Sequence, residues 1–85
     1  MNLAELPMRT RARVTGFIAP TKDTETRLRE IGFAEGDTVE VLHVGLFGRS
    51  PLNIRLHDCA SVAMRPAEAA MILVEKLILD KSSGA

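Results

Sequence analysis

The stretch Arg27 to Val44, RLREIGFAEGDTVEVLHV, changes its hydrophobic period within a few residues. Leu28 and Ile31 recur at helical spacing. Gly32 then stands where a helix ends in left-handed backbone, a conformation glycine adopts without a Cβ penalty. Beyond Glu35-Gly36-Asp37, Val39 and Val41 alternate with polar residues, as on a half-buried strand. A helix therefore hands the chain to a strand across one tight turn. With Gly32 just past the helix, Phe33 and Leu28 take the two positions that touch in a Schellman ending. Asp23 or Thr24 is expected to cap the helix start, and Glu25 and Arg29 lie four apart in the stabilising order.

The remaining apolar runs are short. Leu3 and Leu6 precede Pro7, which discourages a helix there. Ala12 to Ile18 alternates and is closed by Pro20, as a first strand. In the strand Thr38–Val44 the apolar phase shifts after Leu42 to Val44 and Leu46, which predicts a bulge or bend. Gly45 to Pro51 reads as a loop, Leu52 to Leu56 as a strand, His57-Asp58-Cys59 as a turn and Ala60 to Met64 as a strand. Pro66 suits the first position of a single helical turn, and Met71 to Glu75 is the last strand. Five strands this short must curl to protect their edges. The expected fold is mainly β with small helices, a five-stranded small barrel with a helix inserted after its first strand. It occupies residues 1–76 as one domain, and residues 77–85 are expected to form a disordered tail.

At 85 residues, 46% hydrophobic and 26% charged, the chain suits one globular domain. With three Phe, no Trp and no Tyr, its core must be aliphatic. Eleven acids balance eleven bases, which argues against a generic nucleic-acid binder. One cysteine cannot form an internal disulfide, and no signal-peptide pattern is seen, so a reducing cytoplasm is expected. The longest apolar run, Met71 to Val74, is far short of the ~20 residues of a membrane span, so no direct membrane insertion is expected.

Candidate chemistry is sparse. Gly45-x-x-Gly48 lacks the Lys-Ser/Thr of a phosphate loop, and Cys59 has no base nearer than His57, so no enzyme is expected. His43, His57, Asp58 and Cys59 lack the spacing of a dedicated metal site. A weak divalent transition-metal site at His57 and Asp58 remains open beside the reading that the histidines simply face solvent. Arg9, Arg11 and Arg13 alternate along one strand face. They suit either a solvated edge strand kept apart by charge or contact with an acidic partner. Nucleic acid is disfavoured, because no aromatics interleave for bases to stack on. Phe47, beside Leu46 between two glycines, either folds back over the barrel mouth or anchors a partner. Met71 and Leu73 alternate with Ile72 and Val74, so one pair can lie outward for docking or a weak homo-oligomer.

The order of pieces resembles the FeoA family, small accessory proteins of bacterial ferrous-iron uptake. The matching landmarks are Gly16-Phe17, Arg27 to Phe33 with its Gly stop, Glu35 to Val41, and Gly48 with Pro51-Leu52-Asn53-Ile54. Val62 to Arg65, Glu68-Ala69 and Ile72-x-Val74-Glu75 follow. The chain departs from the family in lacking a Pro-Gly pair after Pro7, and in longer segments before Pro51 and at His57–Cys59. The resemblance implies an SH3-like barrel, no enzymatic activity, no required cofactor, and a cytoplasmic partner surface on FeoB, the membrane ferrous-iron transporter with a GTP-binding domain. On that reading Leu46, Phe47, Arg49, Leu28 and Arg13 are the candidate partner-binding residues, with the helix near the rim of the barrel. A second implication is a regulatory SH3-like module acting on a metal-dependent transcriptional repressor.

Overall fold

A computed structural model describes residues 1–56 and 60–77. Its strands are β1 (Arg11–Phe17), β2 (Thr38–Phe47), β3 (Ser50–Leu56), β4 (Ala60–Met64) and β5 (Ile72–Lys76). Helix α1 (Lys22–Ile31) joins β1 to β2, and the single turn α2 (Pro66–Ala69) joins β4 to β5. A 3₁₀ turn at Leu3–Glu5 opens the chain. Its ends are closed by a reciprocal pair: Glu5 N–H donates to Asn2 Oδ1 at 3.2 Å, and Asn2 N–H donates to Glu5 Oε1 at 3.1 Å. Leu3 and Leu6 are thereby turned into the core.

The strands make one antiparallel sheet in the order β4-β3-β2-β1-β5. β4 and β5 stand at opposite ends of that order, yet Met64 and Ile72 lie in one core cluster. The sheet therefore curls around its core as a small barrel. Phe33, 1% exposed, sits in that cluster among aliphatic residues such as Leu52 and Ile54. Ile72 and Val74 are the inward pair of β5, while Met71 and Leu73 are half-buried. Met1 and Asn2 lie along the outer edge of β5, with Val74 N–H donating to the Met1 carbonyl at 3.0 Å and Asn2 bridging to Leu73.

Because β1 has β2 on one side and β5 on the other, the arginine run is not on an edge strand. Arg9 also leaves the expected shared face. It precedes β1 in left-handed backbone, φ 65, and its N–H donates to the Val41 carbonyl at 2.8 Å. Arg11 and Arg13 do share the exposed face, but acids stand opposite them. Arg11 pairs in register with Glu40 and lies 3.8 Å from its carboxylate, and Arg13 faces Glu75 on β5. Cross-strand opposites of this kind turn a basic stripe into a mixed, balanced surface.

Thr21, not Asp23 or Thr24, caps α1: Thr24 N–H donates to Thr21 Oγ1 at 3.1 Å. The extended backbone of Thr21 aims its hydroxyl at the first turn, while Asp23 and Thr24 are already helical. The far end follows the Schellman pattern. Phe33 N–H donates to the Leu28 carbonyl at 3.3 Å, Gly32 N–H to the Arg29 carbonyl at 3.1 Å, and Gly32 has φ 132. Leu28 and Phe33 both join the core, but Ile31, expected on the same buried stripe, is 38% exposed. Leu28 is the one buried residue of α1, so the helix rests on the barrel through a single turn. The turn after it hangs on β1: Gly36 N–H donates to the Val14 carbonyl and Val14 N–H to the Asp37 carbonyl, each at 2.8 Å.

The register of β2 against β3 slips between Val41 and His43, the bulge announced by the phase shift after Leu42. It slips again between Val44 and Phe47. Gly45 to Pro51, expected as a loop, is instead the tip of the β2–β3 hairpin. Phe47 pairs with Ser50 around the two-residue turn Gly48-Arg49, whose φ values of 61 and 67 are both positive, as a type I′ turn demands. The glycines that look like loop punctuation serve the turn and the bulge. A Cβ on Gly45 would collide with the Ser50 carbonyl. The expected turn at His57–Cys59 and the tail from residue 78 lie outside the described residues, and Leu77 N–H still donates to the Arg11 carbonyl at 3.0 Å.

Candidate functional site

The hairpin tip carries the most pointed surface feature. The core ends near Val44 and Leu52, and β2 continues beyond it for three more residues. Leu46 and Phe47 on that extension are 95% and 86% exposed. Phe47 therefore does not fold back over the barrel mouth. Two large apolar side chains are thus held in water at the end of a paired hairpin. Arg49 closes the tip. Its Nη2 donates to the Leu6 carbonyl at 2.8 Å, tying the hairpin to the N-terminal segment.

A second constellation gathers on Arg29. Its Nε and Nη2 donate to Glu25 Oε2 at 3.1 and 2.9 Å, and Nη1 and Nη2 donate to the two Glu35 oxygens at 2.8 and 2.9 Å. The guanidinium carbon lies 4.5 Å from the centroid of the Phe17 ring. One side chain thus joins α1, the turn that follows it and the end of β1. The hydrogen bonds from Arg29, seconded by one from its own backbone, hold the Glu35 carboxyl well below the ordinary range, at about 2. Glu35 and Glu25, in that order, raise the guanidinium in turn. The Glu25–Arg29 spacing was visible in the sequence; Glu35 and Phe17 reach Arg29 only through the fold.

The structure separates the remaining candidates. Leu28 is 3% exposed and belongs to the core, so it holds the helix down rather than meeting a partner. Arg13 is exposed but pairs with Thr38, nine positions along β2 from Phe47, which at ~3.3 Å per residue is roughly 25–30 Å. Arg49 alone shares the tip with Leu46 and Phe47. His43 is exposed on β2. Among the described residues no three His, Cys, Asp or Glu side chains gather as a metal ion would need, and His57, Asp58 and Cys59 lie outside them. No helix among the described residues is long and apolar enough to cross a membrane.

A curled five-stranded antiparallel sheet with a helix after its first strand matches one family closely: residues 1–76 fit the FeoA domain. The chain belongs to the FeoA domain family. Stenotrophomonas maltophilia FeoA, an SH3-domain protein solved in complex with zinc and put forward as a ferrous iron transport activating factor, is 32% identical. The alignment covers 88% of this chain and 89% of that one, with a TM-score of 0.76. The FeoA protein of Chlorobium tepidum is 29% identical over 98% of this chain and 76% of its own, TM-score 0.80. A FeoA-like protein of Clostridium acetobutylicum is 26% identical over 92% and 87%, TM-score 0.80. No curated protein matches the chain. As a FeoA domain with the SH3-like fold, it is a non-enzymatic accessory factor of ferrous iron transport.

Proposed function

We propose that this FeoA domain acts in the cytoplasm by docking on the cytoplasmic region of a FeoB-type ferrous-iron transporter, and that it modulates transport or the transporter's GTPase cycle. The observation that supports this most is the pair Leu46 and Phe47, adjacent, 95% and 86% exposed, at the tip of the β2–β3 hairpin. Removing two such side chains from water stabilises a complex by roughly 1.5–3 kcal/mol each. Nothing in the barrel needs them where they are. Their use is outward.

The test is calorimetric titration of the chain into the soluble cytoplasmic domain of the transporter, nucleotide-free, with GDP and with a non-hydrolysable GTP analogue. Saturable binding that differs between nucleotide states, and that Phe47→Ala weakens at least ~10-fold, is the expected result. Absence of binding in every state would overturn the reading and favour the repressor-linked alternative. The zinc complex of the Stenotrophomonas relative supports weak divalent-metal binding here too, and the sequence candidates for it are His57 and Asp58. Zinc titration of the wild-type chain and of His57→Ala checks it: equal affinities would remove His57 from the site.

A further inference from the structure

The hairpin contains one residue that its geometry does not call for. The second position of a type I′ turn ordinarily holds glycine, yet here Arg49 occupies it at φ 67. Its guanidinium, which has five donors to place, gives one to the neutral Leu6 carbonyl at 2.8 Å. Its Nε is buried without a hydrogen-bond partner. Among the described residues Arg49 forms no ion pair. It is also the only Asp, Glu, Lys or Arg between Glu40 and Arg55. A strained backbone and an unsatisfied buried donor are both unfavourable for the free molecule.

We propose that Arg49 is the charged recognition element of the tip, which fits an apolar pocket edged by an Asp or Glu carboxylate on a partner protein. Leu46 and Phe47 fill the pocket, and the guanidinium exchanges the Leu6 carbonyl for the carboxylate. This rests on the hairpin reading above and specifies the chemistry of the surface it meets. A carboxylate accepts two parallel hydrogen bonds from a guanidinium, both partners ionised, where the Leu6 carbonyl accepts one and carries no charge. The exchange gives up a single hydrogen bond to an uncharged carbonyl and supplies the unsatisfied Nε with an acceptor. Other occupants fit less well. An anionic membrane is held by clusters of four to eight basic residues, and this hairpin offers one. Two-fold pairing of tips would set Arg49 against its own copy.

The experiment titrates the soluble cytoplasmic domain of a FeoB-type transporter with wild type, Phe47→Ala, Arg49→Gly and Arg49→Lys, each at low and high salt. Glycine suits φ 67, so Arg49→Gly keeps the turn, and thermal unfolding confirms the fold. Phe47→Ala is expected to weaken binding ~10-fold or more with the wild-type salt dependence. Arg49→Gly should weaken it about 10-fold and abolish the salt dependence, while Arg49→Lys recovers part of both. Wild-type affinity and salt dependence in Arg49→Gly, with Phe47→Ala weakened, would overturn the carboxylate and leave the hairpin reading intact. Unchanged binding by both variants would overturn the hairpin reading itself. Phe47-dependent binding to phosphatidylserine vesicles, or Phe47-dependent dimerisation, without binding to the transporter domain would reassign the tip to a membrane or to a second copy.

Discussion

Gly45→Ala probes how independent the hairpin tip is from the barrel. A Cβ at this position runs into the Ser50 carbonyl and stands 2.7 Å from Pro51 Cδ. A backbone carbonyl cannot rotate out of the way, so the two strands must part at the tip. The loss is bounded, because the tip can open while the barrel stays shut. Opening past the Val44–Leu52 pair gives up the Phe47–Ser50 pairing and the Arg49–Leu6 hydrogen bond. Leu46 and Phe47 lose no burial, since they have almost none. Two to three hydrogen bonds at about 0.5–1.5 kcal/mol each, partly offset by backbone entropy regained in the freed residues, leave a net loss of about 1–2 kcal/mol. For a domain of this size that lowers Tm by about 5–15 °C. Thermal unfolding followed by circular dichroism reads the shift, and amide NMR should show changes confined to residues near 44–52. Binding to the transporter domain should fall as far as in Phe47→Ala, because the anchor is no longer held. An unchanged Tm with an unchanged spectrum would refute the close approach at Gly45. A chain that fails to fold would refute the separation of tip from core.

Other perturbations have equally definite outcomes. Phe33→Ala empties a site 1% exposed and should cost about 3–5 kcal/mol in urea unfolding; a loss below 1 kcal/mol would mean Phe33 does not anchor the core. Thr21→Ala removes the cap of α1 and should cost about 1 kcal/mol, with the loss of helical signal at 222 nm tracking it. Glu35 is held at about 2, below its unfolded value near 4.5, so its contribution to stability is complete above pH ~4.5 and is lost as pH falls through 2. Unfolding measured across that window should be flatter in Glu35→Gln than in wild type, and identical pH profiles would exclude the Arg29 contact as its source. Phe47→Ala should leave stability within about 0.5 kcal/mol of wild type, and a larger loss would place the ring against the protein rather than in water.

Local signals in this chain were legible where the deciding atoms lie within a few residues. The helix stop at Gly32, its partner pair Leu28 and Phe33, and the bulge after Leu42 all depend on spacing alone, and each was found where the spacing put it. The hairpin tip is hidden in the sequence because Gly45, Gly48 and Pro51 look like loop punctuation. In place, Gly45 permits a close strand approach and Gly48 a left-handed turn. The pair Leu46 and Phe47 could be singled out, but whether Phe47 turned inward or outward depended on where the core ended. Sequence does not state register, and register puts Arg13 beside the start of β2, at the opposite end from the tip. The acids opposite the arginines, Glu40 and Glu75, were hidden for the same reason. Of the Arg29 contacts, the one within a helix turn was readable, and the two that cross the fold were not.

The place of β1 in the sheet sets an order in time. Of these five strands β1 is made first, and β5, which pairs Lys76 with Ala12 across 64 positions, is made last. One side of β1 can find β2 early, once α1 and its turn have formed. The other side waits for β5. The barrel therefore closes only when the fifth strand is laid along the first, and a nascent chain paused before Ile72 holds a sheet with one flank unfinished. The interval between making β1 and making β5 governs how long that flank stays bare.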